Sequence, residues 1–291
     1  GESGSGKSMS LKAVLGLLDK NFQVSGQAVF DDKNLIGAPG EELRKLRGNQ
    51  IGMVLQNPMT CFDPLYRIGS QMAETFAMHT DWNGEKIRSV SLEVLDQMRI
   101  HDGAEVLEKY PHQLSGGMLQ RIMIGIAMAL SPELLIADEP TTALDVTIQA
   151  QVLDLMNDLK KKYGTSMILI THDLGIVAET CDQVAVMYAG RIVEQGTLED
   201  IFNRTRHPYT EALFNSLPNI RDRKARLKPI PGLMPDPTNL PAGCAFAPRC
   251  PYATDTCRAG LPQFRTISPT HMVMCRAYES PEFHIRREDR S

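Results

Sequence analysis

Residues 1–8 read Gly1-Glu2-Ser3-Gly4-Ser5-Gly6-Lys7-Ser8, the spacing G-x-x-x-x-G-K-S. Glycines at these positions let the backbone curl until several N–H groups face one point. A helix that follows turns its positive end to the same point, and together they form a seat for the phosphates of a nucleotide. In such a loop Gly1, Ser3, Gly4, Ser5 and Gly6 line the seat, Lys7 reaches the outer phosphates, and the Ser8 hydroxyl holds Mg²⁺. The loop needs a buried strand before it and a helix after it, which commits the chain to an α/β fold. Here it stands at the first residue with no Met ahead of it, so the expectation is a fragment that has lost its N-terminal strands.

A chain of 291 residues has room for one large domain or two smaller ones. Its 42% hydrophobic and 23% charged residues are those of an ordinary globular protein. The net charge of −4 argues against a non-specific nucleic-acid binder, which would carry a basic excess. The longest apolar stretch, residues 122–130, is far too short to cross a bilayer.

Apolar residues at helical spacing over residues 9–18 predict the helix that should follow the loop. Residues 27–30 and 50–55 read as strands, with a polar helical connector over 41–47. Residues 63–130 are mostly helical in pattern. Continuous apolar runs at 134–137 and 167–170, separated by a helix over 149–162, predict a parallel sheet covered on both faces. Residues 184–188 and 191–194 read as a hairpin turning at Ala189-Gly190. Beyond about residue 206 prolines crowd the chain, which suggests a linker or a small irregular module.

Each downstream element ends in a residue that phosphoryl transfer to water can use. Asp138 closes a buried strand where it can hold the Mg²⁺ shell, and Glu139 beside it can orient and activate the attacking water. The plainer alternative is an acidic pair capping a helix. His172 follows the next buried strand, where it can sense the terminal phosphate, and Gln56 follows the strand at 50–55, within reach of the metal or the water. Leu114-Ser115-Gly116-Gly117-Met118-Leu119-Gln120-Arg121 places paired glycines ahead of a long helix. Exposed N–H groups of Ser115, Gly116 and Gly117 at a positive helix end make a second anion site. A nucleotide needs only one phosphate loop, so the second site implies that another subunit's nucleotide is gripped there. The alternative is a Gly-Gly turn in which Ser115 is only an N-cap.

This ensemble, in this order, resembles the ABC transporter ATPase family over residues 1 to about 202. Residues 114–118 look like its signature motif, Gln56 its Q-loop glutamine, Leu144-Asp145 part of its D-loop, and His172 its switch histidine. The resemblance implies a RecA-like P-loop NTPase fold with a helical subdomain at about 59–130, the nucleotide-binding domain spanning 1–205. It also implies a head-to-tail pair of ATPase subunits, homo- or heterodimeric, with two ATP·Mg²⁺ between them driving membrane-embedded partners. Those partners would dock near residues 63–71. The aromatic that stacks on adenine in this family lies upstream of the phosphate loop and is absent here, so the chain as given is expected to bind nucleotide weakly.

Four of the six cysteines, Cys244, Cys250, Cys257 and Cys275, fall in the C-terminal stretch, spaced too loosely for C-x₂₋₄-C zinc knuckles. Four thiolates can hold zinc or a 4Fe–4S cluster. Disulfides are disfavoured if the chain works where thiols stay reduced. His271 could substitute as a ligand but reads as ordinary surface. Residues 207–213 and 243–250 resemble the C-terminal extension of ATPases from the dipeptide/oligopeptide/nickel branch of ABC importers, here taken as 206–291. The resemblance favours an iron–sulfur cluster over zinc. It further implies a peripheral protein on the cytoplasmic face of the cell membrane, with two integral permease subunits and, indirectly, an extracytoplasmic solute-binding protein. Di- or oligopeptides come first as cargo, with nickel or another small solute as the alternative. A soluble ABC-type ATPase would need long insertions that residues 63–130 cannot hold. A non-hydrolysing subunit would have lost Glu139 or His172.

Overall fold

The structure, a computed structural model, describes residues 1–142, 144, 146–216 and 229–279. Its contacts divide the chain into two compact units, Ser8–Thr171 and Gly1–Lys7 with the chain from His172 onward.

The first unit is built on three parallel strands. Helix α1 (Lys7–Val14), of which Ser8 onward belongs here, leads into a two-residue hairpin, β1 (Val29–Phe30) and β2 (Lys33–Asn34), then α2 (Gly40–Leu46) and β3 (Ile51–Val54). Four helices follow, α3 (Ile68–His79), α4 (Gly84–Gln97), α5 (Gly103–Glu108) and α6 (Gly116–Met128). Strand β4 (Leu134–Asp138), α7 (Val146–Tyr163) and β5 (Ser166–Ile170) complete it, with strand order β3-β4-β5. Register pairs Val54 with Ala137 and Asp138 with Ile170.

Both faces of β4 are covered, as its unbroken apolar run requires. Leu135 and Ala137 join the large core made by α3, α4, α6 and α7. Ile136, facing the other way, joins Leu15, Leu35, Leu43 and Ile51 in a smaller one. The crossover helix α7 buries Val152, Leu155, Met156 and Leu159 on one stripe, each worth about 1.5–3 kcal/mol of burial. Its last turn carries Lys160, Lys161 and Lys162, which suit the negative end of the helix dipole.

Two elements differ from their expected length for local reasons. The helix expected over 9–18 stops at Val14 because Gly16 takes a left-handed φ of 63°. The Gly16 N–H then donates to Ala13 O at 3.1 Å and the Leu17 N–H to Lys12 O at 2.8 Å, a Schellman stop. The strand expected over 27–30 shrinks to two residues because the Asn34 side chain intercepts the Ala28 N–H at 2.9 Å, replacing a ladder bond.

The second unit centres on an antiparallel sheet. Helix α8 (Leu174–Thr180) precedes the hairpin β6 (Gln183–Tyr188) and β7 (Arg191–Thr197), then α9 (Leu198–Asn203) and α10 (Pro208–Asn215). After α11 (Asp255–Ala259) the chain adds β8 (Arg265–Ser268) and β9 (His271–Val273), giving strand order β6-β7-β9-β8. The proline-rich stretch thus returns to the sheet through β9, which pairs with β7 at Glu194 and Gln195. His271, expected at the surface, is only 2% exposed, and its Nε2 lies 2.8 Å from Oε1 of the fully buried Glu194. Its ring is therefore committed to a carboxylate of β7. Glu194 also accepts the backbone N–H groups of Arg206 and His207.

His207 caps α10, its Nδ1 accepting the Tyr209 N–H at 3.1 Å. Complete burial pushes its pKa down to about 4, against the opposing pull of the Glu194 carboxylate and a hydrogen bond with the Met274 backbone. Protons then bind the unfolded chain in preference to the folded one. Stability should fall as pH drops from about 6.5 towards 4, by up to about 3 kcal/mol. His207→Asn keeps the capping acceptor and should remove this part of the acid sensitivity, read as the difference in Tm between pH 7 and pH 5.

Candidate functional site

In the first unit, the residues expected to handle metal and water are brought together at the carboxyl ends of the parallel strands. Ser8, in the first turn of α1, donates its hydroxyl to Asp138 Oδ1 at 2.8 Å, and Asp138, the last residue of β4, is only 4% exposed. Glu139 comes next. Its N–H donates to Ile170 O at 2.9 Å, extending the β4–β5 ladder by one bond. Its φ is 47°, a left-handed conformation that an ordinary residue adopts at a cost of about 1–3 kcal/mol. That turn brings its carboxylate to Gln56, just past β3, whose Nε2 donates to Glu139 Oε2 at 2.9 Å. Thr142 Oγ1 donates to the same oxygen at 2.9 Å. Sequence reasoning missed Thr142; its only trace was a hydroxyl residue three positions after the glutamate, the spacing of a turn.

Ser115 caps α6, accepting the Met118 N–H at 3.3 Å, and both it and Gly116 are exposed. The capping reading and the anion-site reading are compatible, since a capped helix still presents its first N–H groups to solvent. Arg121 on the same helix donates to Gly117 O and to Met98 O and Arg99 O, tying α6 to the end of α4. Of the expected D-loop pair, Asp145 lies outside the described residues.

In the second unit, the loop over residues 1–7 is closed on itself. Lys7 Nζ donates to Gly1 O at 2.8 Å and to Glu2 O at 3.0 Å, so the ammonium sits across the mouth of the loop where an anion would replace those carbonyls. Ser5 is fully buried and its hydroxyl donates to Glu2 O at 2.6 Å. Gly6 adopts φ 94°, open only to glycine at low cost. His172 is exposed, immediately before Asp173, whose side chain caps α8 by accepting the Gly175 and Ile176 N–H groups at 2.7 and 3.3 Å.

Cys244, Cys250, Cys257 and Cys275 line a single cavity, together with His207 and Phe246. The Cys244 N–H donates to Cys257 O at 2.8 Å, drawing two of the four chain positions together. No disulfide joins them. Burial raises the thiol pKa of Cys244, pushes that of Cys250 up to about 11, and that of Cys275 up to about 12. A metal ion would therefore have to displace protons from buried thiols. Among the described residues no group of three or more His, Cys, Asp or Glu side chains is placed so that it could hold a metal ion. Thiols are the donor type that soft metals and iron–sulfur clusters take.

Among the described residues no helix is long and apolar enough to cross a membrane. Residues 1–142 match the sequence profile of ABC transporters, and residues 193–257 that of the oligopeptide/dipeptide transporter C-terminal region. The chain is 49% identical over 278 residues to a probable peptide ABC transporter ATP-binding protein of Sinorhizobium fredii, covering 94% of this chain and 83% of that one. It is 45% identical over 275 residues to an oligopeptide transport ATP-binding protein of Haemophilus influenzae, covering 94% and 85%. Among solved structures it is similar to the ATP-binding cassette MJ0796, seen as a dimer in a post-hydrolysis state bound to ADP and Pi. The TM-score is 0.60 at 27% identity, covering 68% of this chain and 82% of that one. The α/β frame, the phosphate loop with its lysine and serine, and the C-terminal match converge on one conclusion: this chain belongs to the ATP-binding subunits of the peptide branch of ABC transporters.

Proposed function

We propose that this protein hydrolyses ATP to power import of di- or oligopeptides across the cytoplasmic membrane, from whose inner face it works as a peripheral subunit. The observation that carries the reading is the carboxylate of Glu139, turned by a left-handed backbone and held by Gln56 and Thr142, one residue from the Ser8–Asp138 pair. Glu139 is the general base. Lys7 contacts the outer phosphates, and Gly1, Ser3, Gly4, Ser5 and Gly6 line their seat. Ser8, Asp138 and Gln56 hold Mg²⁺, His172 reads the terminal phosphate, and Ser115, Gly116 and Gly117 act on the nucleotide of the facing subunit. The partners are a second ATPase subunit, alike or identical, two integral permease subunits, and indirectly a solute-binding protein outside. The relatives named above are peptide and oligopeptide transport proteins, which places peptide ahead of nickel as cargo. Residues 1–205 form the nucleotide-binding domain, with its helical subdomain at about 59–130, and 206–291 the extension.

Cys244, Cys250, Cys257 and Cys275 would hold a 4Fe–4S cluster, with zinc as the alternative; either would supply a rigid clip for a proline-rich segment. The test is uptake of a labelled dipeptide by vesicles carrying the complete importer, with ATP on this subunit's side. The expected result is ATP-dependent accumulation that nickel does not compete away. Nickel uptake without peptide uptake would overturn the cargo assignment.

A further inference from the structure

An anion-binding loop that carries a carboxylate repels the anion it is meant to hold, and Glu2 places one in the second position of the phosphate loop. The C-terminal extension answers that charge. Arg249, only 7% exposed, meets Glu2 in a two-pronged pair, Nη1 to Oε2 at 2.9 Å and Nη2 to Oε1 at 3.2 Å. The rest of its fork is held as well. Nε donates to Pro231 O at 2.9 Å and Nη1 to the Tyr188 hydroxyl at 3.2 Å. Glu2 is gripped a second time at its backbone, where its N–H donates to the hydroxyl of the fully buried Tyr209 at 2.8 Å. Tyr209 in turn packs against Tyr188 at 4.5 Å and Phe246 at 5.4 Å between ring centres. Phe246 and Cys250 both line the cysteine cavity, and Arg249 is the residue immediately before Cys250.

We infer that Arg249 is a positioning residue for ATP, through which the cysteine-rich extension neutralises Glu2 and fixes the shape of the phosphate loop. The inference rests on the nucleotide role proposed for residues 1–8. Its physical content is an electrostatic one: with Arg249 removed, the Glu2 carboxylate stays in the loop uncompensated and opposes the triphosphate. A carboxylate so near a bound phosphate at intermediate dielectric weakens binding by about tenfold, and the penalty shrinks as salt rises.

The test is ATP affinity, KM and kcat of the assembled importer carrying Arg249→Ala, Arg249→Lys, Glu2→Gln, or Glu2→Gln with Arg249→Ala. Metal content and Tm are measured on every variant. Arg249→Ala should raise Kd and KM for ATP about tenfold with kcat within about twofold, the rise falling at high salt. Arg249→Lys, which keeps a charge but loses the fork, should lie between wild type and Arg249→Ala. Adding Glu2→Gln to Arg249→Ala should bring the affinity back to within about twofold of wild type, because the repelling charge is gone. A double variant as weak as Arg249→Ala alone would overturn the inference, as would an unchanged KM in Arg249→Ala. If Arg249→Ala does not fold, Arg249→Lys alone and with Glu2→Gln makes the same comparison. Wild-type importer that binds no ATP would instead sink the nucleotide reading itself.

Discussion

Glu139→Gln should lower kcat for ATP hydrolysis by about 10²- to 10⁴-fold, the range that a positioned general base contributes. The amide oxygen of Gln can accept the same two hydrogen bonds that Gln56 and Thr142 give to Glu139 Oε2, so the left-handed turn and its neighbours stay in place. What disappears is the basicity. ATP affinity should therefore change little while turnover stops, which separates loss of the base from collapse of the site. Hydrolysis within a few-fold of wild type would mean that another group takes the proton from water. The assay is steady-state phosphate release at saturating ATP, with ATP binding measured in parallel on the same preparation.

The second large effect concerns the cysteines. If four thiolates hold a metal centre, the binding free energy becomes folding free energy for a segment with little apolar core of its own. Cys275→Ser should then remove most of the bound metal and destabilise the second unit by about 3 kcal/mol or more, a drop of roughly 10 °C in Tm. Cys275 carries this prediction furthest because it follows β9, the strand that joins the extension to the hairpin. Its buried thiol is otherwise held well into the protonated form. Iron with acid-labile sulfide in protein purified without oxygen identifies a cluster, and zinc without sulfide identifies the alternative. Protein that carries neither metal, together with an unchanged Tm in Cys275→Ser, would leave the four cysteines as packing residues only.

The parts of the site that lie at the ends of apolar runs were readable from the chain. A buried parallel strand announces itself by its unbroken run, which puts Asp138 and Glu139 at a strand end from the sequence alone. The hairpin at Ala189-Gly190 was equally plain, its turn residues lying between two alternating segments. What could not be read are the pairings made across long stretches of sequence. The ring of His271 is bound by Glu194, 77 positions earlier, and nothing in the sequence around either residue signals that contact. Arg249 and Glu2 stand 247 positions apart, and nothing near either one signals the other. The short strands β8 and β9 were hidden for the same reason: β9 forms on the edge offered by β7, and β8 in turn pairs with β9, so their formation depends on a hairpin about 70 positions earlier. The left-handed turn at Glu139 was invisible too, because glutamate carries no preference for it and the surrounding ladder imposes it.

ATP held between two ATPase subunits, each supplying a different half of the pocket, is tested most directly by trapped pairing. Glu139→Gln protein, alone and with its companion ATPase subunit, should be weighed in solution by light scattering with and without ATP·Mg²⁺. ATP should convert monomers into a stable pair, and Ser115→Arg on the facing surface should prevent it. Monomers that persist at saturating ATP, with the companion subunit present, would contradict the shared pocket.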